Sequence, residues 1–161
     1  MRYLRNINVI GEEGQTCLHS SSVMIVGCGA LGGQVAMLLA GAGIGRIGIA
    51  DFDVIEISNL QRQLFFSESS SGQLKAQVLA KRMNDLNSDI NVEIYPEKIS
   101  EKNAENIFRN YNVIIDATDK PGPKYLIAGI SQKLRLPCII GGVEGWKGQV
   151  IALSDLEPDA P

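Results

Sequence analysis

The apolar run Val23-Met24-Ile25-Val26 passes directly into Gly27-Cys28-Gly29-Ala30-Leu31-Gly32, and Ala30 to Ala40 then reads as a helix. This junction restricts the fold more than any other part of the chain. In a Gly-X-Gly-X-X-Gly turn between a buried strand and a helix, the glycines allow the tight bend and let backbone amides at the helix N-terminus approach a phosphate. Alone the motif is a weak signal. Its surroundings strengthen it: Arg46 to Ala50 reads as a second strand, and Asp51 ends it roughly 20 residues past the turn, where a carboxylate accepts hydrogen bonds from ribose hydroxyls. The unit predicts a nucleotide site, with a purely structural tight turn as the alternative.

The rest of the chain alternates in the same way. Leu74, Val78, Leu79, Met83 and Leu86 recur at helical spacing, which predicts a helix from Gly72 to Leu86. Asn91 to Tyr95 reads as a strand, Glu101 to Phe108 as a helix, Asn112 to Ala117 as a buried strand and Lys124 to Leu134 as a helix. Pro137 to Ile140 and Gln149 to Leu153 complete the set as strands. Strands joined by crossover helices give a doubly wound, Rossmann-like α/β fold, with a mostly parallel sheet and helices on both faces. Ligands of such sheets sit beyond the carboxyl ends of the parallel strands. Three loops fall there: Gly27 to Gly32, Asp51-Phe52-Asp53, and Asp116-Ala117-Thr118-Asp119.

A chain of 161 residues suits one domain, with 1–20 as an N-terminal arm or helix and 21–161 as the nucleotide-binding core. Charged residues make up 20% and the formal net charge is −3, which excludes the broad basic face that a nucleic acid or an anionic membrane demands. No apolar run approaches a bilayer span and the N-terminus leads into no signal-like stretch, so the expected compartment is the cytoplasm. Cys17, Cys28 and Cys138 show no metal-ligand spacing and read as reduced thiols, Cys28 and Cys138 being packing residues. His19, the only histidine, reads as a surface or cap residue.

A nicotinamide-dependent dehydrogenase would share the glycine turn and Asp51. The next segment separates the two classes. Asp51 to Gln63 crowds Asn59, Arg62 and Gln63 just beyond the ribose position, and Gly72-Gln73-Leu74-Lys75 adds a lysine at the start of a helix. Hydride transfer needs no such concentration of phosphate ligands. Displacement at a triphosphate does, because charge builds on the departing pyrophosphate.

These residues closely resemble the ThiF/MoeB/HesA family of adenylyltransferases, relatives of the ubiquitin-activating enzymes. The resemblance runs from Arg2-Tyr3-Leu4-Arg5 through Gly11, Gln15, the glycine turn, Asp51 to Gln63, Gly72, Lys75 and Asp116 to Asp119, and ends near Gly145-Trp146-Lys147-Gly148-Gln149. That ending looks slightly more like the thiamin-pathway branch than the molybdopterin branch. The resemblance implies Mg²⁺-ATP-dependent adenylation of the C-terminal carboxylate of a ubiquitin-like sulfur-carrier protein ending in Gly-Gly, by a homodimer. Asp51 would hold the ribose, with Asp53 beside it; Asn59, Arg62 and Lys75 would bind the phosphates, and Gln63 would order the same loop. Asp119 would sit by Mg²⁺ and the α-phosphate, and Arg5 would reach into the partner subunit's site. Judged singly, Arg62, Lys75 and Arg5 could be solvated charges and Asp119 a helix cap.

Two departures stand against the resemblance. Lys120-Pro121-Gly122-Pro123 replaces the family's usual Asn after the aspartate, and Lys124 stands where Arg is common. Family members also continue with two Cys-X-X-Cys pairs for zinc and a transfer cysteine, whereas this chain ends at Ser154 to Pro161 with neither, so no zinc site is assigned and the core reads as incomplete. A catalytically silent module that docks nucleotide or a ubiquitin-like protein is the alternative, and an NAD-dependent oxidoreductase a more distant one.

Overall fold

The computed structural model describes residues 2–154, and the end of the chain at 155–161, on which the expected incompleteness of the core was read, lies outside them. Helix α1 (Leu4–Ser20) bends at Gly11, whose φ of 73 lies in the left-handed region that a side chain disfavours. Strand β1 (Ser22–Val26) is buried along its whole length and leads through the glycine turn into α2 (Ala30–Ala42) and β2 (Arg46–Ala50). A long excursion with two 3₁₀ turns, Ile57–Asn59 and Glu68–Ser70, follows before α3 (Lys75–Leu86) and β3 (Asn91–Tyr95). Then come α4 (Ala104–Phe108), β4 (Val113–Asp116), α5 (Pro121–Lys133) and the antiparallel hairpin β5 (Cys138–Glu144) and β6 (Lys147–Leu153).

The strands lie in the order β3-β2-β1-β4-β5-β6, parallel except for β6. The fold is thus the doubly wound, mostly parallel sheet that the strand pattern predicts. Alternate residues of β1 explain the two cores. Val23 and Ile25 pack with Ile47, Ile49, Ala36, Ala40, Leu79 and Met83 under α2 and α3; Met24 and Val26 pack with Ala50, Phe108, Ile114 and Ile127 under α4 and α5. Because period-two strands point successive side chains to opposite faces, a strand buried on both sides reads as a continuous apolar run, as Val23 to Val26 of β1 do. Each fully buried side chain of this size stabilises by about 1.5–3 kcal/mol.

Three helices begin elsewhere than their sequence suggests, one of them α4, predicted from Glu101 and starting at Ala104. The predicted helix from Gly72 starts only at Lys75, because Gly72 has φ 82 and closes a turn whose amide bonds Ile55 O. The helix predicted from Lys124 starts at Pro121. Its prolines occupy the first turn, where an amide has no intrahelical acceptor to lose.

Candidate functional site

Strand order reverses between the parallel neighbours β1 and β4: the connections on one side run outward to β2 and β3, on the other to β5 and β6. This is the switch point at which doubly wound sheets open a crevice. The glycine turn after β1 and the loop after β4 meet there. The amide of Gly27 bonds Ala50 O at 2.8 Å, that of Ala117 bonds Val26 O at 2.9 Å and that of Asp51 bonds Tyr95 O at 3.2 Å, so all three loops are stitched to their neighbours' strand ends. Glycine is required at the contact. A Cβ on Gly27 would lie 2.9 Å from Ala117 O, and one on Gly32 would lie 1.8 Å from Gly27 O.

Asp51 joins the turn to the second loop. Its Oδ2 accepts from the Cys28 amide at 2.6 Å and its Oδ1 from the Asp53 amide at 2.8 Å. Burial pushes its carboxyl above the usual carboxylate range, against the pull of those two amides and the Lys75 ammonium. The same burial holds the Cys28 thiol well above the ordinary thiol range, with the charge of Asp51 adding to it. A thiol so placed is a packing group and no nucleophile. Cys138 is buried as well, and His19 is exposed in the last turn of α1.

The 53–75 excursion is closed at its base. Ile55 N bonds Gln73 O and Lys75 N bonds Asp53 O, and the Lys75 ammonium reaches the Asp53 carboxylate at 3.1 Å. Lys75 is only 7% exposed, so it is no surface charge. Asn59 is also buried: its Oδ1 accepts from the Glu56 amide at 3.2 Å and caps the 3₁₀ turn. Arg62 is exposed, tied only through Nη1 to Ser58 O at 3.2 Å. Gln63 is 3% exposed, its Nε2 lies 3.6 Å from where a Gly29 Cβ would stand, and its Oε1 has no hydrogen-bond partner among the described residues. An orphaned buried acceptor beside a phosphate-type turn invites a donor from a ligand. Phe65 anchors the segment by laying its ring against Gly33, where a Cβ would come within 1.8 Å.

Asp119 is exposed and makes no hydrogen bond among the described residues. It does not cap α5, whose N-cap is Lys120 with no side-chain capping bond. Its position, two residues past Ala117, lies in the loop that touches Gly27 and Gly32. A free carboxylate suits Mg²⁺, which takes one or two carboxylates together with phosphate oxygens. Arg5 is not brought to the crevice. Tyr3 abuts Gly43 and accepts from Asn87 Nδ2 at 2.8 Å, and Gln15 donates to Ala42 O at 2.9 Å, so α1 packs at the far ends of α2 and α3, by the amino edge of the sheet.

Two residues that carry much of the local charge escaped assignment from sequence. Asp116 is completely buried and Lys124 bridges it, at 3.3 Å, to Gly141 O at 2.7 Å. The signal was an acidic residue closing an apolar strand, with a lysine on the next helix. A hollow lined by Gln132, Leu136, Cys138, Ala152 and Leu153 lies at the opposite end of the sheet and holds none of the candidate residues.

Fold and crevice together define a doubly wound α/β domain with a crevice at its strand switch point. The chain belongs to the ThiF family, whose pattern matches residues 3–160. It is 41% identical over 141 residues to the adenylyltransferase and sulfurtransferase MOCS3 of Dictyostelium discoideum, covering 88% of this chain and 33% of that protein. It is 38% identical over 141 residues to the sulfur carrier protein adenylyltransferase of Thermus thermophilus, covering 88% of this chain and 52% of that one. Among solved structures, the E. coli tRNA N6-threonylcarbamoyladenosine dehydratase TcdA in complex with ATP superimposes with a TM-score of 0.87 at 26% identity, covering 91% of this chain and 61% of that one. The chain thus spans between a third and three fifths of the length of these relatives.

Proposed function

We propose that this chain is an adenylyltransferase domain that binds ATP in the crevice between β1 and β4 and activates the C-terminal carboxylate of a ubiquitin-like sulfur-carrier protein. The observation that carries the reading is the convergence, at one strand switch point, of the glycine turn, the braced Asp51 and the unpaired Asp119. It is supported by the names of relatives 38–41% identical and by the ATP bound to a structural neighbour.

In this reading the backbone amides after Gly27 face the phosphates, and Asp51, whose oxygens still have lone pairs beyond the two amides they accept, takes the ribose hydroxyls. Gln63 Oε1 gains the donor it lacks. Asn59, Arg62 and Lys75 offset the charge that grows on the leaving pyrophosphate, with Asp53 holding Lys75 in place. Asp119 ligates Mg²⁺, which when bound supplies Lewis-acid polarisation of the α-phosphate. The carrier carboxylate attacks the α-phosphorus; the bond to the bridging oxygen breaks, pyrophosphate leaves and an acyl-adenylate remains. Arg5, remote from its own crevice, acts across the two-fold axis of a homodimer. The Gly145 to Gln149 ending favours a thiamin-pathway carrier, and the working compartment is the cytoplasm.

Label transfer tests this. With α-labelled ATP, Mg²⁺ and a Gly-Gly-ended carrier, label should appear on the carrier and pyrophosphate should be released in equal amount. Tight ATP and carrier binding with no label on the carrier would favour a silent docking module, to which the departure at Lys120-Pro121-Gly122-Pro123 gives its own support. Saturable NADH binding that ATP does not displace would sink both.

A further inference from the structure

We propose that Lys124 is a positioning residue, which ties the buried Asp116 carboxylate at the end of β4 to the Gly141 carbonyl of β5 and thereby sets the loop that carries Asp119. The inference deepens, and rests on, the reading of Asp119 as the metal ligand.

Asp116 is fully removed from water, and a carboxylate so placed needs a countercharge and a donor for each lone pair it turns inward. Its Oδ1 accepts from the Thr118 amide at 2.9 Å and the Thr118 hydroxyl at 2.7 Å; its Oδ2 accepts from Lys124 Nζ at 3.3 Å. Neutralising Asp116 would not require the second, shorter bond, from Nζ to Gly141 O at 2.7 Å. That bond crosses to the neighbouring strand, so one ammonium fixes the entry of α5 against the end of β4 and the middle of β5. The loop between is held on both sides of Asp119 and Lys120. Ala117 is tied to Val26 O at 2.9 Å, Thr118 is tied to Asp116, and the first turn of α5 is tied through Lys124. Since Asp119 makes no hydrogen bond among the described residues, only these neighbours place its carboxylate. Outer-shell partners of this kind change metal affinity by about 10–100-fold.

The experiment uses the full 161-residue chain, with Mn²⁺ as a paramagnetic probe in place of Mg²⁺ and ATP as the nucleotide. Lys124→Met should weaken Mn²⁺ binding in the presence of ATP by about tenfold or more, leave ATP binding in EDTA unchanged, and speed exchange of the Thr118 amide, which donates to Asp116 Oδ1, while β1 and β2 stay protected. Lys124→Arg should restore both readouts. Since Lys124→Met leaves Asp116 buried without its countercharge, Asp116→Asn/Lys124→Met provides the control: it removes that charge and should regain thermal stability but neither Mn²⁺ affinity nor slow exchange. If metal affinity and slow exchange return together with stability, Lys124 only neutralises Asp116 and the proposal is overturned. Fast exchange at Thr118 in the variants, together with Mn²⁺ binding that is indifferent to ATP and to Asp119→Asn, would keep the strut and overturn the metal assignment instead.

Discussion

The amides of Cys28 and Asp53 hold the two oxygens of Asp51 at 2.6 and 2.8 Å, so this side chain braces the glycine turn as well as offering itself to a ribose. Burial nonetheless raises its pKa, and the sign of the consequence can be worked out. The folded carboxyl keeps its proton to a higher pH than the unfolded one. Its contribution to stability is therefore greatest below the unfolded value and falls as pH rises through the interval up to the raised folded value. Asp51→Asn cannot ionise and lacks this fall, so the wild-type Tm minus that of Asp51→Asn should decline as pH is raised from about 3 to about 7. A difference that rises with pH would show that the two amides outweigh burial. Asp51 was legible from sequence because the strand end and its distance from the turn fix its place. The Lys75–Asp53 and Lys124–Asp116 pairs were not, because pairing across a loop depends on how the loop closes. Asp53 and Lys75 meet only because the 53–55 segment pairs back against 72–75.

At the scale of elements, the glycines separate packing from propensity. Gly33 lies under the Phe65 ring, and Gly33→Ala must displace that ring and with it the segment bearing Arg62 and Gln63. The variant should lose about 1–3 kcal/mol in urea unfolding and should also bind ATP more weakly, as calorimetry would show; unchanged stability would mean the Phe65 contact is not made in solution. Gly129, exposed in the middle of α5 with nothing within 4 Å of an added Cβ, is the opposite case. Gly129→Ala should stabilise by roughly 0.5–1 kcal/mol, and a loss instead would indicate that another surface covers that face. Strand positions were the most readable elements, since β1, β2 and β4 are short apolar runs ended by glycine or aspartate. Helix starts were less so. A proline reads as a breaker, yet Pro121 begins α5; periodicity carried the third helix back to Gly72, yet the positive φ there makes it a turn.

Across the whole molecule, the question is how much of the chemistry resides in a chain that covers between a third and three fifths of the length of its relatives. Arg5 bears on the assembly. It is exposed on a helix packed at the far edge of the sheet, so it serves a crevice only if that crevice is a second subunit's. If the chain is the homodimer proposed above, mixing Arg5→Ala chains with Asp119→Ala chains places both defects in one site of each heterodimer and leaves the other intact. Since random exchange makes half the dimers mixed, activity should recover to about a quarter of wild type. No recovery, with exchange verified by native mass spectrometry, would remove Arg5 from the partner's site. The loop around Asp119 decides the rest. Because that carboxylate is exposed and makes no hydrogen bond among the described residues, Asp119→Asn should leave Tm and ATP affinity nearly unchanged. Carrier-dependent exchange of labelled pyrophosphate into ATP should occur with the wild-type chain and should fall by about a hundredfold or more in the variant. Exchange that survives Asp119→Asn undiminished, or that is absent from a wild-type chain which binds both ATP and a Gly-Gly carrier, would contradict adenylation at this crevice.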